Sequence, residues 1–163
     1  MNIAENLLDD LKSAIIQLSN LLDTLADLGV VMMMLPSSLA SGRDAWIAKH
    51  LSLTKTAGIN LALLITKISR PDLQKPSAMT TESIDSLVIW VTRAVDESAT
   101  SDTLEHARQQ VVGNWSKTWF ALSGLVSALN YRATPWWQEI EERRPTYQST
   151  MDQLLDHNNF HRR

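Results

Sequence analysis

Few residues in this 163-residue chain combine the type and spacing that chemistry needs. His157 and His161 are four apart. On a helix they share one face, and with Asp156 they offer imidazole and carboxylate ligands to a divalent metal. No second ligand pair stands beside them in the sequence. Glu139, Glu141 and Glu142 crowd three carboxylates into a short stretch, the raw material of a Mg²⁺ site like that of helical nucleotide pyrophosphohydrolases. Such sites draw Glu pairs from two helices, and only one cluster exists here. Its Glu residues also adjoin Arg143 and Arg144, as on a solvated helix face. Arg43 and His50 pair a permanent cation with an imidazole that titrates near neutrality. That set could hold a scissile phosphate and move a proton. His106 stands alone and reads as a surface residue.

The string Arg43-Asp44-Ala45-Trp46-Ile47-Ala48-Lys49-His50, an Arg and a His with six residues between, resembles the loose signature of HEPN-type helical ribonucleases. The resemblance implies that Arg43 and His50 act at a dimer interface on an RNA 2′-hydroxyl and the scissile phosphate. It covers these eight residues alone. It departs from the family pattern in having Asp44 after the Arg and in lying early in the chain rather than near the last helices.

Six tryptophans against two tyrosines and two phenylalanines is an unusual balance. Trp115 and Trp119 are four apart and share a helix face, whereas the neighbours Trp136 and Trp137 must point in different directions. With Arg132 and Arg143 they outline a Trp-rich surface that would anchor a protein partner. A Trp pair with nearby Arg also stacks bases of single-stranded nucleic acid. The bland alternative is that the rings close one end of a helical bundle. Met32, Met33 and Met34 similarly serve either an adaptable surface or a core.

The functional expectation is therefore a non-enzymatic interaction module: a small cytoplasmic adaptor, inhibitor or complex subunit, a homodimer through helix 1 being one form of it. Its binding residues would be Trp115, Trp119, Arg132, Trp136, Trp137 and Arg143, with an unknown protein as partner and no cofactor or metal. One alternative is the HEPN-like ribonuclease using Arg43 and His50. The other is a nucleic-acid-binding subunit using Lys49, Lys55, Lys67, Arg70 and Lys75. A net charge of -3 argues against a general nucleic-acid footprint. The chain has no cysteine, which removes disulfides and thiolate metal sites. Its start, Met1-Asn2-Ile3-Ala4-Glu5, lacks the basic segment of a signal peptide. The longest strongly apolar run, Leu28 to Leu35, is too short to span a bilayer, so no membrane role is expected.

Whatever the function, helices must position it. Leu7-Leu8-x-x-Leu11, Ala14-Ile15-x-x-Leu18, Leu21-Leu22-x-x-Leu25 and Leu28-Gly29-x-x-Met32 recur every seven residues. The stripe is too wide for a two-stranded coiled-coil seam and fits a helix packed in a bundle. Helix 1 is expected over residues 2–34, with Asp9, Asp10, Lys12, Asp23 and Asp27 on its polar face. Helix 2 follows from between Ser38 and Arg43 to Ser69, with Thr54 and Gly58 admitting a close neighbour. Residues 71–80 read as a loop between prolines, and helix 3 as 81–97, capped by Thr80 or Thr81. Helix 4 opens on the Asp102/Glu105 capping pair and reaches Asn130. Helix 5 starts at Thr134-Pro135 and ends near Arg144-Pro145, with a further helical segment after it.

Segment charges support neighbouring helices: residues 1–42 carry -4, 43–76 +4, 77–102 -4 and 103–163 +1, which sum to -3. The fold class expected is an all-α bundle of four to five main helices, with helices 1, 2 and 4 long and mutually antiparallel. It forms a single domain over residues 1–157 with a frayed tail at 158–163.

Overall fold

A computed structural model describes the backbone of residues 2–34, 40–96 and 101–155 and the side chains of residues 5–28, 45–95 and 103–155. The described residues are almost wholly helical and hold no strand, as the sequence patterns require. The helices are α1 (Asn2–Met34), α2 (Ala40–Thr66), α3 (Gln74–Asp96), α4 (Ser101–Ala128) and α5 (Pro135–Asp152). A single 3₁₀ turn, Pro71–Leu73, leads into α3.

α1 packs on α2 and α5, α2 lies between α1 and α3, and α3 makes the most extensive pairing, with α4. α1–α4 form an up-and-down series. α2 and α4 consequently run the same way, which corrects the expectation that helices 1, 2 and 4 are all mutually antiparallel. α5 runs parallel to α1, since Lys12 meets Trp136 near one end and Asp23 meets Arg143 further along both helices. The heptad stripe of α1 is spent inside the chain: Leu11, Ala14, Ile15, Leu18, Leu22 and Leu25 are all buried in one core shared with the other four helices. Leu8 is its one large apolar side chain left exposed among the described residues. Burial at this scale contributes about 1.5–3 kcal/mol per large aliphatic side chain, which is why helices of modest intrinsic propensity hold together.

Local chemistry explains the joints. Gly58 is buried at the α2–α3 crossing, where a Cβ would stand 2.7 Å from Ile84 Cδ1. The missing side chain is what lets the two helices approach. Just past the end of α4 stands Asn130, whose φ of 64° lets Tyr131 N–H return to the Val126 carbonyl at 2.9 Å. Asn tolerates this left-handed position better than most residues, and the bond satisfies a carbonyl the helix would otherwise leave bare. Arg70 ties the α2–α3 corner to the end of α4. It donates to both Asp72 oxygens and, at 2.7 Å, to the Ala128 carbonyl. The Arg70 hydrogen bonds hold the Asp72 carboxyl below its ordinary range.

Four local expectations need correction. Residues 74–80 are helix, not loop. Pro76 is the third residue of α3, where no intrahelical N–H bond is lost, so it is as compatible with the first turn as any residue. Thr80 and Thr81 consequently sit inside the helix, their hydroxyls bonded back to the Pro76 and Ser77 carbonyls. Thr134 precedes α5 as expected, but its hydroxyl bonds to the Tyr131 carbonyl rather than capping the helix. α5 does not end at Pro145 and continues to Asp152. Ile140 and Trp137 on one side of the proline, and Met151 and Leu154 on the other, all reach the core. Their burial outweighs the one missing backbone bond. Because Pro145 is exposed, Pro145→Ala restores that bond without a packing cost. It should raise stability by about 1–3 kcal/mol, read as a higher urea midpoint.

Candidate interaction surface

Of the residues singled out for chemistry, only part are described. His50 sits at the α1–α2 seam, half-buried, with Nε2 3.3 Å from the Leu21 carbonyl oxygen. Arg43 lies in the first turns of α2, and its side chain is outside the described residues, as are those of Met32, Met33 and Met34. Asp156, His157, His161 and the whole 158–163 tail also lie outside them. Glu139 and Glu142 are exposed and Glu141 half-buried, while their neighbours turn away: Arg143 toward Asp23, Arg144 onto the Trp119 ring at 5.8 Å. Among the described residues no three His, Asp or Glu side chains are grouped to hold a metal ion. His106 is exposed, its ring edge-on to Trp90 at 5.1 Å.

The Trp-rich surface is corrected by burial. Trp115 and Trp119 are 0% exposed and Trp137 1%, so none of them can meet a partner. They form a continuous interior chain. The ring centroids of Trp115 and Trp119 are 6.0 Å apart, those of Trp119 and Trp137 6.4 Å, and those of Trp137 and Trp136 6.3 Å. Edge-to-face contacts of this kind add stability beyond area alone. Trp115 Nε1 donates to the Leu22 carbonyl at 2.8 Å and so fastens α4 to α1. Trp119 Nε1 is buried without an acceptor. Trp136 is half-buried against Tyr131, and Arg132 is exposed.

Asp23 is likewise not on a solvated face. α5 covers it, leaving it 6% exposed, with Oδ2 3.6 Å from Arg143 Nε and Oδ1 unpartnered. Burial raises its carboxyl to about 6, against the opposing pull of Arg143 and with a further push from Asp27.

What the molecule does present is the outer side of α2. One face of this helix, Ile47, Leu51, Thr54, Leu61 and Ile65, is buried against α1 and α3. On the other side stand Trp46 at 56% exposure, Leu53 at 45%, Ile59 at 47% and Leu63 at 58%. A helix apolar on both sides is characteristic of full burial, yet α2 is at the surface. From Ala45 to Lys67 the sequence holds Lys49, Lys55 and Lys67 and no Asp or Glu, so every formal charge of this stretch is positive. The notable signal for this surface was in the sequence: Ile59, Ala62, Leu63 and Thr66 form a second stripe spaced i, i+3, i+4, i+7 beside the core stripe.

Two open grooves adjoin α3. One of about 610 Å³ is shared by α3, α4 and α5 and includes Met79, Glu82, Asn114, Lys117, Phe120 and Arg144. The other, about 440 Å³, runs between α2 and α3 over Ala62, Ile65, Ile68 and Ala78. Among the described residues no helix is long and apolar enough to cross a membrane.

These features define an all-α five-helix bundle with one doubly apolar surface helix. No known protein family matches the chain, and neither curated proteins nor solved structures show a significant match to it.

Proposed function

We propose that this protein is a non-enzymatic interaction module that receives a protein partner on the outer side of α2. The observation that carries the reading is the exposure of Trp46, Leu53, Ile59 and Leu63 on a helix whose opposite face already supplies the core. Four large apolar side chains on one exposed helix exceed the scattered singles of an ordinary surface and mark an association site. Covering a large side chain completely contributes about 1.5–3 kcal/mol, so finishing the burial of four half-exposed ones supplies several kcal/mol toward binding.

The test is a tagged-protein isolation from its own cells, comparing wild type with Leu53→Asp and Leu63→Asp. Both sites are solvated, so each variant should melt within about 0.5 kcal/mol of wild type. Wild type should carry a stoichiometric protein, and both variants should lose it. Phe120→Asp on α4, 68% exposed and away from α2, should keep it. Retention by the α2 variants would sink the reading. So would RNA cleavage that disappears in His50→Ala with the fold intact.

A further inference from the structure

The larger groove beside α3 carries charge of both signs. Met79, Glu82, Ser83 and Ser86 form its α3 wall at the spacing i, i+3, i+4 and i+7, one face of that helix. α4 runs antiparallel to α3. Pro76 Cβ lies 3.9 Å from where a Gly124 Cβ would stand, and Trp90 meets His106 further along. That register sets Met79 level with Phe120, Ser83 with Lys117 and Ser86 with Asn114. Arg144 joins them from α5.

The groove therefore has a direction. Towards one end stand acceptors that lack a donor. Asn114 is 7% exposed, and its Nδ2 donates to the Gln110 carbonyl at 2.8 Å. That bond fixes the carboxamide and leaves Oδ1 without a donor among the described residues. An amide oxygen on a side chain buried to this degree, yet open to a groove, calls for a donor from outside. The Ser86 hydroxyl is also unbonded there, and Glu82, one turn before it, makes no ion pair among the described residues. Towards the other end stand the cations. Lys117 has no carboxylate partner among the described residues, and neither has Arg144, whose guanidinium rests on the Trp119 ring. Beside them Met79, 37% exposed, and Phe120, 68% exposed, offer apolar surface.

This layout selects a ligand. A phosphate or a plain carboxylate would satisfy the cations but set its charge against Glu82 and offer nothing to Asn114 Oδ1. An apolar body alone would strand all three charges. A positive and a negative group on one small molecule, with an apolar branch, meet every group in turn. The volume of about 610 Å³ lies within the roughly 300–1,000 Å³ of small-molecule sites.

We infer that the α3–α4–α5 groove binds a small zwitterion with an apolar side group. Its ammonium sits on Glu82, Ser86 and Asn114 Oδ1, its carboxylate on Lys117 and Arg144, and its side group on Met79 and Phe120. Apolar α-amino acids and short apolar peptides share this chemistry. The inference does not draw on the α2 reading.

The experiment is calorimetry on the full chain with leucyl-phenylalanine, its N-acetyl form, its C-terminal amide and free phenylalanine. The dipeptide should bind, and acetylation or amidation should each weaken it at least about tenfold. Glu82 and Lys117 are exposed, so Glu82→Gln and Lys117→Gln should keep the fold. The first should narrow the preference over the acetylated form, and the second the preference over the amide. Phenylalanine binding as tightly as the dipeptide assigns the site to free amino acids, and a tighter dipeptide assigns it to peptides. No binding of either at millimolar probe, equal binding of the three dipeptide forms, or preferences untouched by the variants overturns the inference. Leu53→Asp and Leu63→Asp should bind the probes as wild type does, so failure here leaves the α2 reading untouched.

Discussion

Trp115→Ala should leave the protein barely folded. The side chain is wholly buried, touches Trp119, and carries the hydrogen bond from α4 to the Leu22 carbonyl of α1. Removing a buried indole costs about 3–5 kcal/mol, against a total stability of about 5–15 kcal/mol for a domain. Circular dichroism during a urea titration would read the loss directly. A finer comparison separates packing from hydrogen bonding. Trp115→Phe removes a satisfied donor together with part of the ring. Trp119→Phe removes a buried donor that has no acceptor, so relief of that unpaired N–H offsets its packing loss. Leaving a buried donor unpaired costs about 1–3 kcal/mol, and Trp119→Phe should therefore be milder than Trp115→Phe by roughly that amount. Equal losses would show that both indole nitrogens are equally well satisfied.

Asp23→Asn should change how stability depends on pH. The carboxyl stands at about 6 in the folded protein, above its ordinary 3.8, mainly because α5 buries it. A group raised on folding binds its proton more tightly in the native state. Its influence is harmless at pH 3.8 and below, and becomes destabilising as pH climbs through the interval to about 6, where the charged form must be buried. Two units correspond to about 3 kcal/mol at most. The Arg143 contact is already included in that position of the titration. Urea midpoints of wild type and Asp23→Asn, taken from pH 4 to 7.5, should diverge by about 2 kcal/mol across the interval, Asp23→Asn gaining relative to wild type as pH rises. Parallel curves, or a relative gain for wild type, would mean that the Arg143 pairing dominates. Because Arg143 is 43% exposed, part of its attraction is screened by solvent, which is why burial prevails.

Helix number and the inward stripes were legible from periodicity because burial of one face dictates it. Leu11 to Leu25 on α1 and Ile47 to Ile65 on α2 alternate at helical spacing, and each lands in the core. What misled was punctuation. Pro76 and Pro145 look alike in a sequence, but one falls in a first turn that needs no N–H bond and the other is carried by core contacts on both sides of it. A local rule cannot see those contacts. The tryptophans show a related limit: their surplus suggests a surface, whereas Trp115, Trp119 and Leu122 continue the same apolar stripe as Val111. In the sequence Asp23 looks as solvated as Asp27, because nothing in α1 announces that α5 covers it. The α2 surface is legible in principle, since Ile59 and Leu63 fall off the core stripe. Of the chemical candidates, Arg43's side chain and Asp156, His157 and His161 lie outside the described residues, while the ring of His50 faces a backbone carbonyl.

The division of the tryptophans between interior and surface gives the protein two natural optical reporters. Trp115, Trp119, Trp136 and Trp137 lie within energy-transfer distance of one another in a largely dry setting, and together they act as a single chromophore that reports the integrity of the bundle. Trp46, more than half exposed on α2, is open to collisional quenchers that the cluster excludes. Acrylamide should therefore divide the emission into a shielded and an accessible fraction; half-buried Trp90 on α3 also contributes to the second, and the part that a Trp46→Phe variant removes reports α2. Capping of the α2 side by another molecule would then be visible as a loss of quenching, with no label attached and the interior signal unchanged.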